Sequence, residues 1–197
     1  MGGDGTEKIN VQTGLEIALK ANQSKALWFP WKSIYRRTMI CGIRFPDNLS
    51  LGEETPFVLE CLLNAKTVVN TDEKLYCYVQ RSGSLAKKRY DYGYFEKLNE
   101  LYNTKKKVYE KYDCRGYEPD LNQYTMTHTI PLIFSNEIHS GKFFRTQRAI
   151  FKKMRNSEMV CEAYKSCSPE LIQSKLKYMA YLLKYKQYSA LTLLCKF

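Results

Sequence analysis

The 197-residue sequence has no long apolar run, little histidine and no closely paired cysteines. A membrane-spanning helix needs about 20 consecutive apolar residues, and no stretch here approaches that length. His128 and His139 are the only histidines, and the seven cysteines form no Cys-x-x-Cys pair. A structural zinc site would need such paired spacing together with histidine. These absences argue against a spanning helix and against a structural metal.

The cysteine pattern is typical of buried thiols in a reducing compartment. The number of cysteines is odd, and most of them have apolar neighbours in the sequence. No charged segment followed by an apolar one opens the chain, as it would in a secretory signal. We therefore expect a cytoplasmic protein, with docking at the inner face of the membrane as a functional alternative.

The sequence contains enough apolar material for one packed domain, since 44% of its residues are hydrophobic and 14% are aromatic. Residues 10–22 read as a helix, and short β-rich runs occur at 33–37, 67–70 and 74–79, the last two as a hairpin or neighbouring strands. Almost everything beyond residue 90 has helical spacing, which predicts helices at 94–112, at 120–139 with a kink at Pro131, at 143–155, and as one helix or a helix pair from the start at Ser168-Pro169 to nearly Lys196. The sequence predicts a mostly helical α/β chain, with an α/β part at 1–88 and a basic helical region at 89–197.

The net charge of +11 is concentrated in the C-terminal part. Residues 1–86 hold 10 Lys and Arg against 9 Asp and Glu, whereas residues 87–197 hold 21 against 11. Such an excess attracts the phosphates of nucleic acid, anionic lipid or a nucleotide. On amphipathic helices, lysine and arginine most often form a solvated face.

A turn-rich loop delivers two adjacent carboxylates, Glu53 and Glu54, to the start of an apolar helical run. Residues 45–52 read FPDNLSLG and are rich in turn formers, and apolar residues recur at helical spacing from Phe57 onward. Free N–H groups and the macrodipole stabilise negative charge at a helix N-terminus. Capping alone would therefore account for both acids, unless their surroundings add a function.

Four motifs occur in a fixed order around this loop. They read WKSIYRR at 31–37, IRFP at 43–46, GEETPF at 52–57 and LYCYVQRSGS at 75–84. Their order and spacing resemble the C-terminal half of the catalytic domain of family-2 inverting glycosyltransferases, with detailed similarity over residues 11–90. The resemblance implies an open α/β fold of the GT-A type, a nucleotide-diphospho-sugar transferase domain. This chain would hold a small sheet fragment of that domain, followed by C-terminal helices.

The resemblance implies that Glu54 is the catalytic carboxylate, with Glu53 as the acid before it. In such enzymes this group is a general base. It removes the proton of an acceptor hydroxyl as that oxygen attacks the anomeric carbon, and the nucleotide diphosphate leaves from the opposite face. The family has Asp where this chain has Glu54, whose extra methylene moves the carboxylate, and small displacements of a catalytic group are costly.

The resemblance also implies substrate-binding residues on both sides of the reaction. Trp31 and Lys32 would line the acceptor side, because an aromatic face packs well against a sugar; core packing is an equally good interpretation of Trp31. Gln80 and Arg81 would meet the diphosphate, since a guanidinium can bind phosphate with two hydrogen bonds. Val79 replaces the arginine that the family usually has just before them.

The sequence contains no Asp-x-Asp and no Gly-rich phosphate loop. In such transferases the Asp-x-Asp closes an N-terminal nucleotide-binding half and holds Mg²⁺ or Mn²⁺. We therefore expect an acceptor-side half that binds no cofactor itself and is inactive alone, with the metal entering only with the donor-binding half. The expected partners are a saccharide or lipid-linked acceptor, a nucleotide sugar through that other half, and an anionic membrane surface.

Residues of the last helices could contact anionic headgroups through their cations and the membrane interface through their tyrosines. These residues are Lys175, Lys177, Lys184 and Lys186, with Tyr178, Tyr181, Tyr185 and Tyr188.

Two other functions remain open from the sequence. A nucleic-acid-binding protein is the runner-up, suggested by the pI of 9.2 and the abundant tyrosines. Against it, the basic residues are spread over several helices, and no helix-turn-helix, ribonucleoprotein or zinc motif occurs. The third possibility is a non-catalytic interaction module.

Overall fold

The computed structural model describes residues 10–24, 26–71, 73, 76, 77, 79 and 92–196. Over these residues the protein is mostly helical with one two-stranded sheet, so the mostly helical α/β prediction is confirmed. The strands are β1 (Asn10–Gln12) and β2 (Val68–Asn70). The α-helices are α1 (Gly14–Ala18), α2 (Glu54–Asn64), α3 (Tyr94–Lys111), α4 (Glu118–Tyr124), α5 (Ile130–Ile138), α6 (Phe144–Asn156), α7 (Glu158–Ser166), α8 (Leu176–Lys184) and α9 (Tyr188–Leu194). Single 3₁₀ turns occur at Ala26–Trp28, Pro30–Lys32 and Pro169–Leu171.

The sheet joins two segments that are far apart in the chain. β1 and β2 run antiparallel, with Val11 opposite Val69. The β-rich run at 67–70 is thus confirmed as a strand, but its partner comes from the segment 10–22, which we predicted as a helix throughout. The described residues of the run 74–79, which are 76, 77 and 79, are not in a strand.

The strand predicted at 33–37 is wrong. Residues 33–36 follow the Pro30–Lys32 turn without regular structure, and residue 37 begins a turn that runs to residue 39. Ile34 is 95% exposed, so the apolar side chain that suggested a strand has no neighbouring surface to cover.

Helix α1 begins with a capping box and lies directly on the end of α2. The Thr13 hydroxyl accepts a hydrogen bond from Glu16 N at 3.2 Å, and the Glu16 carboxylate accepts one from Thr13 N at 2.8 Å. Gly14 N donates to Ala65 O at 3.1 Å. A Cβ atom on Gly14 would lie 1.8 Å from the Leu62 carbonyl oxygen, so only glycine permits this contact.

Helix α2 is the centre of the N-terminal part, as the apolar run predicted. It contacts α1, α3 and the two 3₁₀ turns at 26–32. Pro56 lies in its first turn, where a missing N–H breaks no helical hydrogen bond. Its buried residues are Thr55, Pro56, Phe57, Val58, Leu59 and Cys61.

Helices α4 and α5 form one helical run with a wider turn between them. Residues Thr125–Thr129 are π-helical, and Ile130 N donates to Thr125 O. Pro131 lacks an N–H, and its ring would clash with the carbonyl one turn earlier in a regular helix. Where the sequence predicts a kink at Pro131, the structure shows a π turn immediately before it.

The C-terminal helices largely follow the sequence prediction, with one omission. Helices α3 and α6, and the closing pair α8 and α9, lie where the periodicity placed them. Helix α7 was not predicted; Ser157 caps it by accepting a hydrogen bond from Val160 N at 3.4 Å. The proline after Ser168 opens only a 3₁₀ turn.

One hydrophobic core includes residues from both predicted parts, among them Leu59 of α2, Phe95 of α3 and Phe134 of α5. The predicted boundary after residue 88 falls within 80–91, outside the described residues.

A buried polar network ties the segment after α1 to the C-terminal helices. Lys105 is only 4% exposed, and its ammonium donates to Asn22 Oδ1 at 2.8 Å. Asn22 N and Asn22 Nδ2 each donate to Asp120 Oδ2 at 2.9 Å. Burial lowers the pKa of Lys105 to about 8, against the opposing effect of Asp120.

Among the helices that the structure describes, none has the length and apolar character needed to cross a membrane.

Candidate functional site

Glu53 and Glu54 lie at the start of α2, as predicted. Glu53 occupies the N-cap position and Glu54 is the first helical residue. The Glu53 side chain is exposed and makes no capping hydrogen bond, so capping does not account for it. Glu54 is half-buried, and neither carboxylate forms an ion pair with another described residue.

The loop that leads into these acids, residues 45–53 with Glu53 at its end, is held at several points. At its beginning, the Phe45 ring stacks on Phe57 of α2 with centroids 4.2 Å apart and planes 8° apart. In its middle, Asn48 Nδ2 donates to Glu100 Oε1 of α3 at 3.0 Å. Near its end, Gly52 has a positive φ of 69° and lies against Leu101 of α3. The loop therefore presents the two carboxylates from a fixed backbone.

Trp31 and Lys32 belong to an aromatic cluster beside α2. The Trp31 ring stacks on Tyr76 at 4.6 Å and lies 5.1 Å from Phe29. Lys32 Nζ lies 4.4 Å from the centroid of Phe29. Trp31 is half-buried and Tyr76 is 56% exposed, so the cluster presents aromatic surface to solvent. We call Phe29, Trp31, Lys32 and Tyr76 the aromatic platform.

The structure brings only some of the predicted site residues together. The Pro30–Lys32 turn contacts α2, whose first residue is Glu54, but no hydrogen bond among the described residues links the platform to either acid. Tyr76 was not predicted as a site residue, although it lies in the fourth sequence motif. Gln80 and Arg81 lie outside the described residues.

Two of the residues predicted to face a membrane are already engaged within the protein. Lys177 Nζ pairs with Glu170 Oε2 at 3.2 Å, and the Tyr181 hydroxyl donates to Glu170 Oε1 at 2.9 Å. The hydrogen bond from Lys177 to Glu170 raises the pKa of the lysine ammonium group. Tyr178 and Tyr185 are exposed, by 61% and 64%.

The cysteines are only partly buried: Cys61, Cys114 and Cys195 are buried, but Cys41 and Cys77 are exposed, against the expectation of buried thiols. Burial raises the pKa of Cys61 and of Cys195 to about 11, which disfavours the reactive thiolate. Over the residues that the structure describes, no group of three or more His, Cys, Asp or Glu is placed to hold a metal ion.

Comparison with known proteins supports one part of the sequence interpretation. No protein-family model matches the chain, and no solved structure matches it. Among curated proteins, it is 27% identical over 146 residues to a protein named "uncharacterized glycosyltransferase EpsJ" from Bacillus subtilis (strain 168). The chain is thus similar to a glycosyltransferase.

The likeness to this glycosyltransferase covers most of one chain and less of the other. The matched residues are 73% of this chain and 42% of EpsJ, so the chain spans less than half of the relative's length. The expectation of a glycosyltransferase is supported at this coarse level. The family-2 type and the GT-A fold stay predictions, because no family model and no solved structure matches the chain.

Proposed function

We propose that this chain provides the acceptor side of a glycosyltransferase, which moves a sugar from a nucleotide-sugar donor to a saccharide or lipid-linked acceptor. The observation that carries this proposal is the 27% identity over 146 residues to a protein named a glycosyltransferase. The four ordered motifs around Glu54 support it independently of that comparison.

The proposed chemistry is an inverting single displacement of the family-2 type. Glu54 accepts the proton of the acceptor hydroxyl, the oxygen forms the new bond to the anomeric carbon, and the bond to the nucleotide diphosphate breaks on the opposite face. A general base must be ionised and within hydrogen-bond reach of the proton it removes. Glu54 is half-buried and has no ion-pair partner among the described residues, so its carboxylate is available to accept such a hydrogen bond. Glu53 beside it adds negative charge to the same helix end.

The aromatic platform is the proposed acceptor-binding surface. A sugar ring has apolar C–H faces and hydroxyl edges, so it suits an aromatic face with a polar group at its side. Tyr76, which is exposed and stacks on Trp31, offers the aromatic face, and the exposed Lys32 offers the polar group. Trp31 and Lys32 of the platform lie in the Pro30–Lys32 turn, which contacts α2, and Glu54 is the first residue of α2.

The donor is proposed to bind mainly outside this chain. The sequence has no Asp-x-Asp to hold Mg²⁺ or Mn²⁺, and Gln80 and Arg81 are the only residues that we assign to the diphosphate. A donor-binding half would therefore supply the metal and most of the nucleotide contacts, and this chain alone is expected to be inactive.

A transfer assay on the chain alone tests this division of labour. The chain is incubated with a panel of radiolabelled nucleotide sugars and with neutral oligosaccharide acceptors, and labelled product is counted. We expect product at background. Robust turnover would contradict the proposal that the donor binds mainly outside this chain. The variant Glu54→Gln would then test the general base, and we would expect it to lose that turnover. Turnover unchanged in Glu54→Gln would refute the role of Glu54.

The basic C-terminal helices suggest that the reaction takes place at an anionic membrane surface, which suits a lipid-linked acceptor. Residues 87–197 hold 21 Lys and Arg against 11 Asp and Glu. Tyr178 and Tyr185 of the α8 region are exposed, and aromatic rings with polar tips favour the headgroup region.

A further inference from the structure

A groove of about 610 Å³ lies between α3 and the junction of α6 with α7. Its volume is in the range of small-molecule sites. Its base includes Phe95, which is 2% exposed. The lining residues are Phe95, Glu96, Asn99, Glu100, Asn103, Lys153, Asn156 and Ser157.

Three of the lining residues are asparagines whose amides are unused by the described part of the fold. Asn99 and Asn103 lie one turn apart on α3, and Asn156 ends α6. Their side chains have no hydrogen-bond partner among the described residues. An amide carries two N–H donors and one oxygen acceptor, and a hydroxyl can likewise donate and accept. A row of free amides therefore matches a ligand rich in hydroxyl groups.

The charges around the groove argue against an anionic ligand. Within the described part of the chain, Lys153 is the only cation that lines it, and Lys153 Nζ is paired with Glu96 Oε1 at 2.8 Å. Glu100 adds a second carboxylate. A phosphate or diphosphate would meet two acids and one neutralised lysine, whereas a neutral polyol meets no net repulsion.

The groove is connected to the loop that carries the candidate acids. Glu100, in the wall of the groove, accepts the hydrogen bond from Asn48 of loop 45–53. Leu101, the next residue of α3, touches Gly52 immediately before Glu53. A chain of sugar units that ended near Glu54 could therefore continue towards α3 and α6.

We propose that this groove binds the distal units of a neutral oligosaccharide acceptor, through Asn99, Asn103 and Asn156. The inference deepens the proposed function and rests on it only for the identity of the ligand as an acceptor. It assigns a binding role to helices that the sequence marked only as basic. It also predicts that longer acceptors bind more tightly than short ones.

The test is a titration with saccharides of increasing length. Malto-, cello- and chito-oligosaccharides, from disaccharide to hexasaccharide, are titrated into the ¹⁵N-labelled protein, and binding is followed by NMR. The variants are Asn103→Ala/Asn156→Ala and Asn156→Trp, which would fill the groove. Asn10→Ala, which removes an exposed amide on β1 with no hydrogen-bond partner among the described residues, is the matched control. Thermal unfolding checks that each variant is folded.

The proposal predicts that affinity rises with saccharide length in the wild-type protein and in the control. Both groove variants should lose that gain, binding the hexasaccharide at least about tenfold more weakly because two hydrogen bonds are lost or blocked. Disaccharide binding should stay unchanged. Added uridine diphosphate should displace nothing from the groove.

The other outcomes separate this proposal from the function proposed above. If the gain with length survives in both groove variants while Trp31→Ala weakens every length, the groove proposal fails and the acceptor function stands. If the groove variants lose binding and Trp31→Ala changes nothing, the groove stands and the platform fails. Displacement by uridine diphosphate, or no binding of any saccharide, would overturn the groove proposal.

Discussion

Lys105 is buried within the fold, and its surroundings determine how readily its ammonium group stays protonated. Its ammonium group is held by Asn22 Oδ1 and lies 4.9 Å from the centroid of Tyr124. Burial lowers the pKa of this lysine to about 8. In the unfolded chain the pKa would return to about 10.5, so the folded protein binds this proton more weakly than the unfolded chain does.

The stability of the protein should therefore depend on pH through Lys105. Between about pH 8 and 10.5 the unfolded chain holds a proton that the folded chain has lost, so the free energy of unfolding rises with pH in this range. We expect a contribution on the order of 1 kcal/mol between pH 7 and about 9.5. Urea unfolding at the two pH values measures it.

The matched control for this prediction is Lys105→Met. The raised pKa values of Cys61 and Cys195 act in the opposite direction, because these thiols lose protons more easily when unfolded. They do so equally in both proteins, so the difference between wild type and variant isolates Lys105. An identical pH dependence in the two proteins would contradict the buried, destabilised ammonium.

Individual site residues were predictable to different degrees. The turn formers at 46–52 and the apolar spacing from Phe57 placed Glu53 and Glu54 at a helix start, and the structure agrees. Tyr76 was missed because its partner Trp31 is distant in sequence, and stacking between distant rings leaves no periodic signal. The positions of Trp31 and Lys32 beside α2 likewise depend on tertiary contacts.

Helix α2 depends on close approach to α1, and Gly14 makes that approach possible. Gly14 N donates to Ala65 O, and its missing side chain leaves room for the backbone at the end of α2. The atoms that a methyl group at this position would meet are backbone atoms. The clash could therefore be relieved only by moving one of the two helices.

Gly14→Ala should therefore be strongly destabilising, by at least about 3 kcal/mol in urea unfolding. Gly116→Ala is the control. Gly116 has a φ of 82°, but no atom of the described residues lies within 4 Å of the place a Cβ would take, so alanine there meets backbone strain without a clash. The control should lose only about 1–2 kcal/mol. Equal losses in the two variants would refute the close contact between α1 and α2.

The helices were easier to predict than the strands for a physical reason. A helix of 18 residues such as α3 repeats its apolar face several times, so the period is visible in the sequence. The strands have three residues each, and β1 pairs with a segment that lies beyond α2. An alternation of three residues does not indicate which segment the strand pairs with. The run 33–37 has a similar pattern and forms no strand.

The charge of the whole molecule is unevenly distributed, and this should be visible in its binding to lipid. Wild-type protein is expected to sediment with vesicles that contain phosphatidylglycerol and not with neutral phosphatidylcholine vesicles. Binding should weaken as salt is raised, because exposed charges are screened. Lys175→Gln/Lys184→Gln should weaken binding about tenfold or more.

Two exposed lysines elsewhere provide the control for the lipid experiment. Lys66 and Lys107 lie outside the last helices, so Lys66→Gln/Lys107→Gln removes the same charge from other surfaces. If this control loses as much binding as Lys175→Gln/Lys184→Gln does, the net charge of the protein, and not a defined face, explains the result. No preference for anionic vesicles would remove the membrane from the proposal altogether.

The groove could not have been predicted from the sequence. Its amides come from α3 and from the end of α6, and its ion pair joins residues 57 positions apart. Only the packing of these helices turns scattered asparagines into one lining. The loop and its two acids depend on the local sequence, so this part of the candidate site could be predicted from the sequence alone.

The acceptor-side proposal is tested most directly by whether the protein binds neutral saccharides with no nucleotide present. Saturation-transfer NMR with the malto-, cello- and chito-oligosaccharide panel measures this. We predict transfer to at least one series, about tenfold weaker binding in Trp31→Ala, and unchanged binding in Ile34→Ala, whose side chain is 95% exposed. No transfer to any saccharide would contradict the proposal, and equal binding in wild type and Trp31→Ala would contradict the role of the aromatic platform in it.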